Sequence, residues 1–269
     1  MNLFAMFSYP FMQRALIAGV LVSLCTALLG VPLVLKRYSM IGDGLSHVSF
    51  GALAVAAALG FTPLYFSIPV VILVAFALLR LADGHWASDA AVAVVSASSL
   101  AVGVLVISLT TGMTTDVDNY MFGSVLAMTE ADVWLSACVS AAVLALFVLF
   151  YHKLFAVTFD ESFARATGVR VELYNSLLAV LTALTIVLGM RMMGAMLISA
   201  LVIFPALTAM RLFRSFLGVV LCAGITSVGC FCAGLAVSLV CATPVGATVV
   251  AADLLVFLAA CLWQRLVRR

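Results

Sequence analysis

Apolar residues in this chain come in long unbroken runs rather than in the alternations or stripes of a soluble fold. Nine runs can be marked: Ala15–Leu35, Gly42–Leu59, Leu64–Leu79, Ala90–Leu109, Val133–Phe150, Leu173–Met190, Met192–Met210, Leu217–Leu239 and Ala247–Leu262. Most reach the ~18 residues that a helix needs to cross about 30 Å of hydrocarbon. A helix satisfies its own backbone donors and acceptors in lipid, so the pattern predicts an all-α, polytopic transmembrane bundle over residues 1–269 rather than a barrel. The third run is short and holds Pro69, and the seventh holds Pro205. Either proline can break its helix, so the expectation is eight or nine spans.

Composition sharpens the picture. Hydrophobic residues make up 66% of the chain and charged ones 9%, against about 25% charged in a soluble domain. Too few polar residues remain to coat a soluble surface, which excludes a soluble enzyme and a disordered tail. The net charge of +2 is scattered rather than patched, which excludes a nucleic-acid partner. The seven cysteines lie almost all inside apolar runs and read as small, soft packing residues. Leu21-Val22-Ser23-Leu24-Cys25 hints at a lipoprotein cleavage box, but Leu24 stands where a small residue belongs. The run also outlasts a signal peptide, so it reads as a retained span.

With nine crossings and an external N-terminus, 11 of the 13 Lys and Arg fall on the cytoplasmic side. Only Arg14 and Arg191 fall outside. The positive-inside rule selects this orientation, with a cytoplasmic C-terminus. The external loop Thr110–Asp132 then holds Asp116, Asp118, Glu130 and Asp132 with no Lys or Arg, an acidic mouth that would favour a cation. The longest polar stretch, His152–Glu172, falls in the cytoplasm. Within it Phe159–Gly168 reads as a short helix capped by Asp160 and ended by Gly168. Phe159, Phe163 and Ala166 form its apolar stripe. A helix this short is marginal alone, so it either lies on the membrane or is gripped by a cytoplasmic partner.

Ionisable groups inside spans cost about 2.5–3.5 kcal/mol each at the bilayer centre. The chain has three to explain: Asp43 and His47 at the start of the second run, and Asp253 in the last. Spacing of four puts Asp43 and His47 on one helix face, where a carboxylate and an imidazole can share a divalent metal. One chain supplies half a site, and a facing copy would complete two Asp and two His. The alternative is Asp43 as an N-cap after Gly42, with His47 satisfying a neighbouring helix. Asp253 has no basic residue within a turn and is a further candidate for the ion path. Ser46 and His47 diverge by about 100° on a helix, which makes a serine triad implausible. Neither an H-E-x-x-H nor a P-loop is present. Met190, Met192, Met193 and Met196 read as packing residues at a helix break rather than a copper site.

Several blocks together resemble a known family. Arg37-Tyr38-Ser39-Met40-Ile41-Gly42-Asp43-Gly44-Leu45-Ser46-His47, Asn119-Tyr120-Met121-Phe122-Gly123, Met193-Gly194-Ala195-Met196-Leu197, Phe204-Pro205-Ala206-Leu207-Thr208 and Thr243-Pro244-Val245-Gly246 are similar to blocks of the membrane permease subunits of bacterial ABC importers for zinc, manganese or iron. The resemblance implies a single permease domain in the bacterial inner membrane, present as a homodimer. It also implies two copies of a separate cytoplasmic ATPase and an extracytoplasmic metal-binding protein. It makes Phe159, Asp160, Glu161, Phe163, Ala164, Arg165 and Gly168 the ATPase-coupling helix, and Asp43 and His47 metal ligands. No permanently bound cofactor is expected, only the transported divalent ion. His47-Val48-Ser49 looks more like the zinc members than the manganese ones, so zinc is favoured, with manganese and iron as alternatives. Asp253 departs from the family pattern. The rival classes are an ion-driven secondary metal transporter and an intramembrane enzyme using Asp43, His47 or Asp253.

Overall fold

The computed structural model describes residues 9–82, 88–110 and 130–267. Among these residues there are eleven helices and no strand. They are α1 (Pro10–Leu35), α2 (Ile41–Ala58), α3 (Pro63–Ala82), α4 (Ser88–Thr110), α5 (Glu130–Leu149), α6 (Tyr151–Phe159), α7 (Glu161–Ala166), α8 (Val171–Met193), α9 (Ala195–Leu212), α10 (Phe216–Cys241) and α11 (Val245–Val267). Eight are long and apolar enough to cross a membrane, and α3 contributes a shorter apolar stretch, Pro63–Leu79. The chain is a multi-pass membrane protein. The expected runs recur with ends shifted by a few residues, while α6 was not expected at all.

α1 is apolar on every side and lies at the centre, touching α5, α8, α9 and α10. Such a helix has no face for water or for much lipid. Pro10 opens it at a position that needs no N–H donor. Arg37, held at φ 64°, turns the chain out of it. α4, α5 and α11 lie at the periphery with most of their surface exposed. The expected break between the sixth and seventh runs falls at Gly194, whose φ of 86° suits glycine. Met190, Met192 and Met193 are buried on one side of this break, while Met196 is exposed beyond it. The four do not form a cluster.

Ion pairs at the helix ends fix the number of crossings. Arg14 at the start of α1 pairs with Glu130 at the start of α5, so an even number of spans separates them. α1, α2 and α4 alone would make three, so α3 crosses as well, despite Pro69. Arg191 pairs with Asp132 at 3.0 Å, so α5 and α8 both cross. The ring of Phe159 stands 5.9 Å from that of Phe216, which requires α8 and α9 both to cross, Pro205 included. Arg211 hydrogen-bonds Gln264 at 3.3 Å across α10 and α11. Nine crossings result among the described residues. Exposed pairs of this kind add only about 0–1 kcal/mol each, so they report the topology more than they hold it.

Close backbone approach holds the centre. At Gly30 of α1 a Cβ would run into the backbone carbonyl of Val202 on α9. Backbone atoms cannot swing aside as a side-chain tip can, and forced overpacking costs about 1–3 kcal/mol. Gly30→Ala is therefore expected to lower the thermal midpoint of the detergent-solubilised protein. Gly229→Ala, where an added Cβ meets nothing within 4 Å, should leave it unchanged.

Candidate metal pair and coupling loop

Asp43 is the third residue of α2, and Met40 occupies the N-cap position. The capping role considered for Asp43 is therefore not the one it takes. Its Oδ1 lies 3.7 Å from Nε2 of His47 one turn later, with the two side chains 40% and 21% exposed. That separation is too long for a hydrogen bond. Two atoms each about 2.1 Å from a tetrahedral ion lie about 3.4 Å apart, so a few tenths of an ångström would let both touch one metal. Nδ1 of His47 is buried with no hydrogen-bond partner among the described residues. No third His, Cys, Asp or Glu joins the pair among those residues. The Ser46 hydroxyl turns away, donating to the Asp43 backbone carbonyl at 2.7 Å and lying 3.4 Å from the Ser199 hydroxyl on α9. This leaves no Ser–His contact for nucleophilic chemistry.

The third intramembrane candidate sits elsewhere. Asp253 is 1% exposed on α11, and neither carboxylate oxygen has a hydrogen-bond partner in good geometry among the described residues. The Cys230 thiol of α10 is the polar group facing it. The structure does not bring Asp253 together with Asp43 and His47.

The polar loop folds as α6 and α7. Asp160 caps α7 by accepting the Phe163 N–H at 2.9 Å, and Gly168 ends the turn at φ 82°. Both roles were legible in the sequence. The buried face was not: Ala164 is fully buried against Val157 and Val171. Phe159 and Phe163 of the expected docking stripe remain 58% and 63% exposed, and Ala166 is exposed too. α7 is fastened by Lys36, at the end of α1, whose side chain is only 7% exposed. Its ammonium donates to Glu161 Oε1 at 2.6 Å and to the Asn175 side-chain oxygen. Asn175 in turn donates to the same Glu161 oxygen at 3.1 Å. Arg165 pairs with Glu172 at 2.9 Å. In the sequence Lys36 was only one basic residue among many. The signal for its role was Glu161, one of the few acids on a face rich in Lys and Arg.

At the opposite end, Glu130 and Asp132 are matched by Arg14 and Arg191, the two basic residues assigned there by topology. These acids of the expected cation-attracting mouth are thus neutralised by partners. Asp116, Asp118 and the Asn119–Gly123 block lie outside the described residues.

The sequence model of the ABC 3 transport family matches residues 8–264. The high-affinity zinc uptake system membrane protein ZnuB of Haemophilus influenzae is 31% identical over 75% of this chain and 77% of its own length. The manganese import system permease protein ScaB of Streptococcus gordonii is 29% identical over 93% of this chain and 90% of its own. The solved structure titled PsaBC from Streptococcus pneumoniae in complex with Fab superposes with a TM-score of 0.86. It is 28% identical and covers 96% of this chain and 94% of that one.

The Lys36 network yields two expectations. Lys36→Met leaves Glu161 and Asn175 without their donor, and a charged hydrogen bond contributes about 1.5–3 kcal/mol. Amide exchange over residues 161–168 should then rise by about tenfold or more, measured by mass spectrometry. Burial pushes the Glu161 carboxyl up, but the hydrogen bonds from Lys36 and Asn175 and the charges of Lys36 and Arg165 outweigh it and hold it below its ordinary 4.5. A depressed carboxyl contributes its stability above the ordinary value and loses it as pH falls through the lowered one. The wild-type thermal midpoint should fall over that acid range, and that of Glu161→Gln should change less.

Proposed function

From the premise that this chain belongs to the ABC 3 transport family, as a metal-type permease and not itself an enzyme, we propose that it carries a divalent metal ion, zinc first, into the cytoplasm by alternating access. Two copies face each other. A separate ATPase, two copies per transporter, grips the α7 ends, and a metal-binding protein docks at the opposite face. The end bearing Lys36, Arg165, Arg170, Arg211 and Arg265 is cytoplasmic, following the positive-inside rule. The membrane is the bacterial inner membrane.

The observation that carries this reading is the Asp43–His47 pair. It is partly exposed and, among the described residues, tied to no other side chain, with ligand atoms 3.7 Å apart. One chain provides two ligands, and the second copy would bring the set to four. Two imidazoles among four ligands suit zinc better than manganese, which prefers oxygen. Relatives named for zinc and for manganese both align with this chain, so manganese and iron stand as the alternatives. Asp43 lies in the first turn of α2 and His47 one turn deeper, about 9 Å from the helix start at 1.5 Å per residue. The pair thus sits in the cytoplasmic half of the bilayer, where an arriving ion meets it late and is released from it.

Coupling follows from the loop. The exposed rings of Phe159 and Phe163 offer the ATPase an apolar grip. A displacement of α7 is carried by Glu161 to Lys36, at the end of α1 and a short loop away from Asp43.

The test is ATP-driven uptake of zinc, manganese and iron into vesicles holding the chain with its ATPase. Asp43→Ala and His47→Ala should each reduce uptake beyond the about 10–100-fold typical of outer-shell changes at metal sites, with membrane insertion intact. Normal uptake by both variants would remove the pair from the path. Full-rate transport by the chain alone would favour a secondary carrier.

A further inference from the structure

Between α1, α5 and α10 the bundle leaves an apolar groove of about 780 Å³. Leu24 and Leu28 of α1 form its floor, Val148 of α5 one wall, and Leu221 and Ile225 of α10 the other. Its extent along α10, from Leu217 to Gly229, corresponds to a rise of about 18 Å. That is little more than half of a hydrocarbon core of about 30 Å. The groove therefore belongs to one leaflet, the one at the basic end, and closes near mid-membrane.

Its mouth is chemically distinct. Tyr151 and His152 at the start of α6 line it, and no carboxylate does among the described residues. Lys153 follows directly and is exposed. Arg214, also exposed, lies two residues before Phe216, whose ring stands 5.4 Å from that of Tyr151. Neither Lys153 nor Arg214 has an ion-pair partner among the described residues. The groove thus has apolar walls of single-leaflet depth and a mouth with two unmatched cations and an aromatic belt residue. A spanning helix from a second copy would need a groove running the full depth.

We propose that this groove holds the acyl chains of an anionic phospholipid from the leaflet at the basic end, with its phosphate facing Lys153 and Arg214. Charge complementarity selects an anionic lipid over a zwitterionic one, since each cation near the surface contributes to holding anionic lipid.

The full-length chain would be reconstituted in equal parts of phosphatidylglycerol and phosphatidylcholine, extracted in mild detergent and weighed by native mass spectrometry. The wild type should retain phosphatidylglycerol in preference to phosphatidylcholine. Gly229→Leu should lose the retained lipid, because Gly229 lines the groove and a Cβ there points into open space. Ile225→Trp, filling the groove from an exposed position, should do the same and guards against misfolding of the first variant. Lys153→Gln should lower the preference for phosphatidylglycerol by about fivefold. Equal lipid retention by wild type and both filled variants would overturn the proposal. So would a wild type with no lipid preference, or a wild-type dimer that falls to monomers in the filled variants, which would make the groove a seam between copies.

Discussion

Charge in this molecule is confined to the two faces of an apolar slab, and most of its architecture follows from that restriction. A side chain that cannot be charged in mid-membrane without a large cost must find its partner at the same face. Each ion pair between distant parts of the chain therefore joins helix ends on one side. Arg14 with Glu130 and Arg191 with Asp132 tie one face, and Lys36 with Glu161 ties the other. None of these needs to be strong to be informative. Together they force α3 to cross, and the Phe159–Phe216 ring contact does the same for α9, although each contains a proline that could have broken it.

The Lys36 cluster does more than mark a face. A helix the length of α7 has too few internal hydrogen bonds to persist in water. It stands because Asp160 caps it, Ala164 is buried beneath it and Glu161 is held by an almost wholly buried ammonium. That ammonium belongs to the residue ending α1, the helix at the centre of the bundle. The loop after it leads directly into α2 and Asp43. A push on α7 would thus reach, through this contact, the central helix and the start of the helix bearing the proposed ligands. Asn175 extends the same contact to α8.

The spans, their order and the basic face were legible in the sequence because hydrophobic run length and Lys/Arg placement are one-dimensional signals. So were the Asp160 cap and the Gly168 stop, which depend only on neighbours in the chain. Which face of α7 is buried was not legible. Phe159, Phe163 and Ala166 are spaced like a core stripe, yet the face that meets the bundle is Ala164, because its small side chain lets α7 lie close to Val157 and Val171. The neutralised acids at the opposite face escaped for a related reason. Glu130 lies 116 positions from Arg14, and only the packing of α1 on α5 brings them together. Asp43 and His47 were legible as a pair because four residues on a helix are one turn. What the sequence left open was whether Asp43 was needed as a cap, and α2 begins three residues too early for that.

The two intramembrane carboxylates make opposite demands on their surroundings, and the contrast argues for separate roles. Asp43 is 40% exposed, faces an imidazole nitrogen and sits near the end of its helix, where an ion can arrive and depart. Asp253 is 1% exposed, pressed between α11 and α10 with a thiol before it and no cation paired to it among the described residues. A transported dication needs ligands that water and a second copy can reach, and weak enough in sum to let go. Sealing a carboxylate costs several kcal/mol unless it is paired or neutral, and a sealed group exchanges nothing with a passing ion. Depth in the membrane made both residues look alike in the sequence, but access separates them. Access therefore favours Asp43, with His47, for the proposed path role and leaves Asp253 to the packing of α11 against α10.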